Sequence, residues 1–266
     1  MAASSSSALA APVAPTGDGP PRLAALVALF ARRPVAAVVA IWLVDVLLQS
    51  GFNLAAHAWT PAGLDADFVA LCAATLVVVA AMTALGWWRV SGFNRPAAWR
   101  DLRVLALPAV VIIVLPFLGG IKAVDAGTAV FWTVAYALVG LHEEALHRGI
   151  MLHILRPSGA VRAVVLGGLL FGASHIANLL VRSSPAVVFS QMIGAACFGI
   201  AFGALRLRTN TIWPLLVLHM LSDLLLHFSN LPVIPLEVVK DVILLAYAVY
   251  LLRDPATRRQ PPASSQ

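Results

Sequence analysis

The segment Leu141-His-Glu-Glu-Ala-Leu-His-Arg148 lies inside the apolar run Ala129–Leu155, and this placement decides the fold. A charge at the centre of a bilayer costs roughly 2.5–3.5 kcal/mol on insertion scales, so two glutamates and an arginine there must face a partner or a water-filled cavity. Of all residues, 61% are hydrophobic and only 11% are charged, which excludes an ordinary soluble domain. We therefore predict an integral membrane protein whose buried polar residues are functional.

Eight apolar runs are compatible with helices that cross a hydrocarbon layer of about 30 Å. We expect an all-α, polytopic protein of about eight transmembrane helices, with its active site in the membrane interior. The runs are Pro34–Leu48, Phe68–Trp88, Val104–Ile121, Ala129–Leu155, Ala163–Leu180, Val187–Leu205, Ile212–His227 and Ile234–Leu252.

Basic residues alternate between the loops that these runs define. One set of loops is rich in arginine: Arg22, Arg32, Arg33, Arg89, Arg95, Arg100, Arg103, Arg156, Arg162, Arg206, Arg208, Arg253, Arg258 and Arg259. The opposite loops hold only Lys122 and Arg182, together with Asp65, Asp67 and Asp125. Because basic residues favour cytoplasmic loops, both termini are predicted to be cytoplasmic, and the net charge of +6 reflects topology more than nucleic-acid binding.

The chain is divided by composition into five segments. No basic residue precedes Arg22, so a secretory signal is not expected, and the alanine-rich N-terminal segment favours a bacterial cell membrane. Cys72 and Cys197 both lie inside apolar runs and are expected to be core residues. The predicted segments are a disordered tail (1–20), a cytoplasmic interfacial segment (21–33), N-terminal transmembrane helices (34–128), a core that carries the buried polar residues (129–227), and a last transmembrane helix with a cytoplasmic tail (228–266).

The two adjacent glutamates are predicted to have different roles. Glu144 and Arg148 are four residues apart on one helix face, so they can form an ion pair. Glu143 points about 100° away from its neighbour, which leaves its carboxylate for proton transfer.

Two further runs contain histidine next to a hydrogen-bonding residue. His175 follows Phe171 and precedes Asn178 in the fifth run, and His219 precedes Asp223 by four residues in the seventh. At about 1.5 Å per residue, Glu144, His175 and His219 lie roughly 16–20 Å from the flanking arginines, so one shared site near the midplane is expected.

Other polar residues are expected to have structural roles. His142 and His147 are five apart, whereas the zinc motif H-E-x-x-H needs four. Asp45, Glu237, Lys240 and Asp241 are expected to pair locally, and His57, His153 and His227 to lie near span ends, where water reaches them. Small residues expected to allow close helix packing are Gly167, Gly168, Gly172, Ala173, Gly194, Gly199 and Gly203.

Between Ala129 and Leu226 the sequence resembles the CPBP intramembrane proteases, which include the CAAX prenyl endoproteases of the Ras-converting type and bacterial proteins linked to bacteriocin processing. Three motifs carry the resemblance: E-E-x-x-x-R at Glu143–Arg148, F-x-x-x-H at Phe171–His175, and H-x-x-x-N/D at His219–Asp223. The segment from Phe198 through Gly203 to Pro214 is also similar to the one that leads into the third motif.

The resemblance implies hydrolysis of a peptide bond in a membrane-associated protein or peptide. Glu143 would act as general base, while His175, His219 and Asp223 bind the water or the oxyanion. Arg148, held by Glu144, would orient the motif or meet a substrate carboxylate.

The resemblance leaves open whether a metal is bound, and it does not extend to a prenylated substrate. Glu143, His175, His219 and Asp223 include donors that suit Zn²⁺ with a site left for water, and a metal-free glutamate mechanism also stays open. The third motif ends in Asp here, where the prenyl-protein proteases tend to have Asn, and the additional carboxylate favours a cation. A prenylated substrate is not expected, because such substrates are mainly eukaryotic and the alanine-rich N-terminal segment is typical of a bacterial protein.

Two other classes of protein remain as alternatives. Buried Glu, His and Asp also occur in proton-coupled transporters, although no inverted repeat is visible in the sequence. A non-catalytic scaffold or immunity protein could retain the same fold.

Overall fold

The computed structural model describes residues 21–96, 98–180 and 184–258, and this part of the chain is all-helical apart from one isolated bridge. The predicted tail 1–20, Arg182 and residues 259–266 lie outside the described residues. The helices are α1 (Pro21–Arg32), α2 (Pro34–Trp59), α3 (Ala66–Leu85), α4 (Ala106–Phe117), α5 (Ala126–Glu143), α6 (Leu152–Leu155), α7 (Ala160–Ser174), α8 (Pro185–Thr209), α9 (Trp213–Phe228), α10 (Val233–Arg253) and α11 (Pro255–Arg258). Shorter 3₁₀ segments cover Trp99–Leu105, Arg156–Ser158 and His175–Leu180, and a π-helical segment covers Glu144–Met151.

Four helical segments in the described residues are long and apolar enough to cross a membrane: Pro34–Trp59, Ala66–Leu85, Ala160–Leu179 and Pro185–Thr209. The prediction of an all-α membrane protein is thus supported, and the count of eight spans stays a prediction. The run Val104–Ile121 contains only the 12 residues of α4 as α-helix. In the last run, α10 has the required length but carries three charged residues in its first half.

Large apolar side chains cover the outside of the bundle. Leu54 on α2, Leu76 on α3 and Ile193 on α8 are 75%, 66% and 68% exposed. Apolar surface of this kind, spread over several helices, is expected where lipid replaces water as the solvent.

Glycine allows α7 and α8 to pack closely, as the sequence predicted. A Cβ atom at Gly172 would collide with the carbonyl oxygen of Met192, and one at Gly199 would lie 2.8 Å from the Cα of Gly168. The packing prediction does not apply to Gly167, whose Cβ position is open, or to Gly194, which lies against Asp241.

At one end of the bundle, loops that connect different helices contact each other; we call this end the arginine end. The Arg206 guanidinium donates to the carbonyl oxygen of Val90 at 3.4 Å, which joins the end of α8 to the α3–α4 connection. Arg208 lies 3.5 Å from Asp101 and 3.8 Å from Asp254, beyond the end of α10. Arginines of neighbouring loops therefore gather at a single end.

The opposite end, which we call the cavity end, is joined by backbone hydrogen bonds between the α4–α5 and α9–α10 loops. Lys122 N–H donates to the Phe228 carbonyl at 2.8 Å, and Asn230 N–H donates to the Gly120 carbonyl at 3.0 Å. At the same end, Asn53 of α2 donates to Asp67 of α3 at 2.8 Å.

Two histidines expected near span ends, where water reaches them, also pack against aromatic rings. His153 is half-buried, with its ring centroid 5.0 Å from that of Trp87. The ring of His227 lies 4.2 Å from that of Trp132, and its Nδ1 is 3.0 Å from the Tyr136 hydroxyl. Apolar neighbours compete with water for these rings because imidazole has an apolar body and a polar edge.

Candidate active site

The two glutamates lie where α5 changes from α-helix to π-helix. Glu143 is the last residue of α5, and the N–H of Leu152 bonds to the carbonyl of His147, five residues back. All eight residues from Glu144 to Met151 are buried. Single-turn π segments are rare and often occur at functional sites, so this change marks the helix as unusual.

Glu144 and Arg148 form the ion pair that their spacing predicted. Glu144 Oε1 lies 3.1 Å from Arg148 Nη1, and the side chains are 0% and 3% exposed. The guanidinium carbon lies 4.1 Å from the Phe171 ring centroid, so the second motif contributes a cation–π contact to the first. Arg148 therefore lies behind the site and holds Glu144, and a direct contact with a substrate carboxylate is not available to it in this arrangement.

His219 joins both glutamates through its two ring nitrogens. Its Nδ1 is 2.8 Å from Glu144 Oε1, and its Nε2 is 3.3 Å from Glu143 Oε2 and 3.7 Å from Asp223 Oδ2. Glu144 is already paired with Arg148 and accepts hydrogen bonds, so Nδ1 carries the proton and Nε2 faces the other two carboxylates. The sequence predicted the Glu144–Arg148 pair and left Glu143 for proton transfer, and the contacts of both glutamates with His219 add to these predictions.

His175 follows the last residue of α7 and begins the 3₁₀ segment. Its Nδ1 lies 3.0 Å from the carbonyl oxygen of Phe171. Because a carbonyl oxygen can only accept, Nδ1 carries the proton, and in the neutral ring Nε2 is an acceptor that can bind a water hydrogen. Asn178, three residues on, donates to Gln191 of α8 at 2.9 Å and fixes the segment against that helix.

A half-open cavity of about 540 Å³ brings most of the predicted site together. Its size falls within the roughly 300–1,000 Å³ of typical ligand pockets. Glu143, His175, His219 and Asp223 line it, whereas Glu144 and Arg148 do not. The other polar side chains of the lining are Gln49, Lys122, Tyr136, Ser174, Asn178, Gln191, Ser222, His227, Glu237, Lys240 and Asp241.

Charged residues of α10 line the cavity, a role that the sequence analysis did not predict. Lys240 Nζ donates to Ser222 Oγ at 3.1 Å and lies 3.7 Å from Glu237 and 3.8 Å from Asp241. The local pairs were expected, but their position in the cavity was not. The available signal was three charges within a run otherwise apolar enough to span a membrane.

His142 is also closer to the site than expected. Its Nε2 lies 3.3 Å from Asp45 Oδ1, and both side chains are buried. Gln49, in turn, donates to Asp45 at 2.7 Å and lines the cavity. The pair therefore ties α2 to α5 one residue before Glu143, and Asp45 pairs across helices and not only within its own.

The donors do not form a metal site in this structure. Within residues 21–96, 98–180 and 184–258, no group of three or more His, Cys, Asp or Glu side chains is placed to hold a metal ion. One nitrogen of His219 is bonded to Glu144, which is itself held by Arg148. Zinc at Glu143, His175, His219 and Asp223 stays a prediction that this arrangement does not fit, and the mechanism below uses the side chains alone.

Comparison with known proteins agrees with the motifs. Residues 125–225 match the family model described as "Type II CAAX prenyl endopeptidase Rce1-like", and the matched region contains all six predicted site residues. No curated protein matches the chain. Residues 125–225 are therefore similar to the CPBP/CAAX proteases of the Rce1-like type, and the apolar helices agree with an integral membrane protein.

Proposed function

We propose that the protein is an intramembrane endopeptidase that hydrolyses a peptide bond of a membrane-associated protein or peptide, with water activated by Glu143. The observation that supports this proposal best is the arrangement around His219. Glu143 and Asp223 meet its Nε2 in a half-open cavity, while a buried Glu144–Arg148 pair holds its Nδ1 from behind.

Glu143 is the general base of this mechanism. A water between Glu143 and His175 gives one proton to the carboxylate while the Nε2 of His175 accepts its other hydrogen. The water oxygen attacks the carbonyl carbon of the substrate and forms a tetrahedral intermediate. The C–N bond then breaks as Glu143 passes its proton to the amide nitrogen, which releases a carboxylate and an amine.

His219 and Asp223 act on the charge that develops during this step. When His219 carries a second proton, its Nε2–H can donate to the oxyanion, and Asp223 at 3.7 Å balances that charge. Glu144 and Arg148 touch neither water nor substrate in this scheme. They are positioning residues, because they fix the orientation of the His219 ring.

The proposed topology has eight spans in a bacterial cell membrane, with both termini in the cytoplasm. Four further spans would join the four helical segments named above. The first is the 3₁₀ segment together with α4, and the second is the continuous helix formed by α5, the π-helical segment and α6. The other two are α9 and α10. The alternation of arginine between loops supports this count.

Membrane peptidomics of cells that express the wild type or Glu143→Gln would test the proposed function. Peptides that depend on Glu143 should disappear from the variant while the amount of inserted protein stays the same. Asp67→Asn is a matched control, because it also neutralises one carboxylate but lies outside the cavity. Identical peptide profiles for wild type and Glu143→Gln would support the non-catalytic scaffold instead.

A further inference from the structure

The two ends of the bundle carry different charge. The arginine end holds the basic residues of three connections and of the segments before α2 and after α10. Contacts of Arg206 with Val90, Arg208 with Asp254, and Trp87 with both Phe30 and His153 show that these regions share one end. The described part of the cavity end has a single basic loop residue, Lys122, and it also carries the acids Asp65, Asp67 and Asp125. Arg182 is the one further basic residue that the sequence gives to these loops.

The cavity is built from the halves of the helices that lie towards the cavity end. On α9 its lining begins at His219 and continues to His227, one residue before the helix ends. On α10 it begins at Val233, the first helical residue, and stops at Asp241. None of the loop arginines of the arginine end lines it.

The cavity also reaches the two loops that are joined at the cavity end. Lys122 and His227 both line the cavity, and Lys122 Nζ donates to the His227 carbonyl at 3.0 Å. The backbone hydrogen bonds between the α4–α5 and α9–α10 loops therefore border this end of the cavity. The opposite side of the site is closed by the buried π-helical segment Glu144–Met151.

We infer that the cavity opens on the non-cytoplasmic side of the membrane and takes a peptide segment exposed at that surface. The inference combines the position of the opening with the rule that arginine-rich loops stay in the cytoplasm. It rests on the proposed protease function for the identity of the ligand, a peptide, and adds the side from which it arrives. The substrate class is thus a membrane-anchored protein or peptide whose cleaved segment lies outside the cytoplasm.

Helix geometry gives the depth of the reaction. Asp223 is five residues before the end of α9, and Lys240 is seven residues after the start of α10. At 1.5 Å per residue these positions lie about 8–10 Å below the cavity end. Glu143 is 17 residues after the start of α5, or about 25 Å along that helix, so the reactive groups extend from the cavity end towards the middle of the membrane.

Thiol accessibility in intact bacterial cells tests the inference with the full-length protein. Single cysteines are placed in a chain whose Cys72 and Cys197 have been replaced by alanine. Lys122→Cys reports the cavity end and Arg162→Cys the arginine end, since both native residues are exposed. A membrane-impermeant maleimide should label Lys122→Cys fully in intact cells and label Arg162→Cys only after lysis.

Two further cysteine variants extend the test. One replaces Lys122→Cys if that protein folds poorly, and the other reports access to the cavity itself. Val124→Cys, at a position that is 43% exposed, replaces Lys122→Cys if loss of the lysine reduces expression. Glu237→Cys lies in the cavity and should react with a small, permanently charged thiol reagent from outside intact cells.

Labelling of the cavity-end cysteines only after lysis, or reaction of Glu237→Cys only in inside-out vesicles, would overturn the inference. Neither result depends on proteolysis. The proposed function would instead fail in the peptidomics experiment, so the two failures are distinguishable.

Discussion

The two sides of the His219 ring lie in contrasting surroundings. On the Nδ1 side, the Glu144–Arg148 pair is almost fully buried and packed against Phe171. On the Nε2 side, Glu143 and Asp223 keep 22% and 28% of their side-chain surface and face the cavity. Three carboxylates therefore contact the same imidazole: Glu144 is enclosed by protein, whereas Glu143 and Asp223 face an open cavity.

This difference separates the residues that hold the His219 ring from the residues that take part in the reaction. A buried ion pair resists disturbance because removal of one partner strands the other charge in a medium of low dielectric. Carboxylates next to a cavity can exchange protons with water and still be compensated by the ring between them. We therefore expect mutations on the Nδ1 side to change stability and mutations on the Nε2 side to change activity.

Glu143→Gln should have the largest effect on activity. The amide keeps the shape of the side chain but cannot take a proton, so hydrolysis should fall by at least about 10²–10⁴-fold. Thermal unfolding of the purified protein should change little. Cleavage by this variant at the wild-type rate would show that Glu143 is not the general base.

Arg148→Ala should have the largest effect on stability. It leaves the buried Glu144 without its cationic partner and with only the His219 hydrogen bond, and such a loss typically costs about 3–5 kcal/mol. Folded yield and the thermal midpoint in detergent should both fall, while Arg162→Ala, at an exposed position, should change the free energy of unfolding by less than about 0.5 kcal/mol. A folded, fully stable Arg148→Ala protein would contradict the assigned role of the buried side.

Asp223→Asn should have a smaller effect than either. Asparagine keeps a hydrogen-bonding oxygen towards His219, and only the charge is lost, so a difference of about 1 kcal/mol or roughly fivefold in rate is expected. Asp223→Ala, which removes the oxygen as well, should be clearly slower. Loss of all activity in Asp223→Asn, with normal folding, would show that the Asp223 charge does more than balance protonated His219, as the charge of a metal ligand would.

Chelation should have the smallest effect. The described side chains do not form a metal site, so hydrolysis in metal-free protein treated with a strong chelator should match the untreated rate. Metal content of the purified protein provides the control. Stoichiometric zinc together with loss of activity on chelation, restored by zinc, would replace the glutamate–water mechanism.

Much of the site was predictable because placing a charged side chain inside a membrane costs so much free energy that such residues must have a partner or face a cavity. The pairing of Glu144 with Arg148 follows from four-residue spacing on a helix, and Glu143, His175, His219 and Asp223 line one cavity as common depth suggested. Sequence spacing within one helix could not give the contact between Glu144 and His219, which are 75 residues apart and meet only when α9 packs beside the π-helical segment.

Other features depended on departures from ideal helix geometry. A period of 3.6 residues describes neither the π-helical segment from Glu144 to Met151 nor the 3₁₀ segment that begins at His175. The inward position of Lys240 was also missed, because a charge in an apolar run can pair along its own helix or face a cavity. Here it does both, through Glu237 and Ser222.

The imidazole of His219 is restrained at both nitrogens, and this has an entropic consequence for the reaction. A ring with a partner on one nitrogen only can swing about its χ angles, and each turnover must then select the productive orientation. With Nδ1 held by Glu144 and Nε2 between two carboxylates, that selection is completed during folding. The cost of ordering the ring is thus met once, when α9 packs against α5, and is not repeated with each substrate molecule.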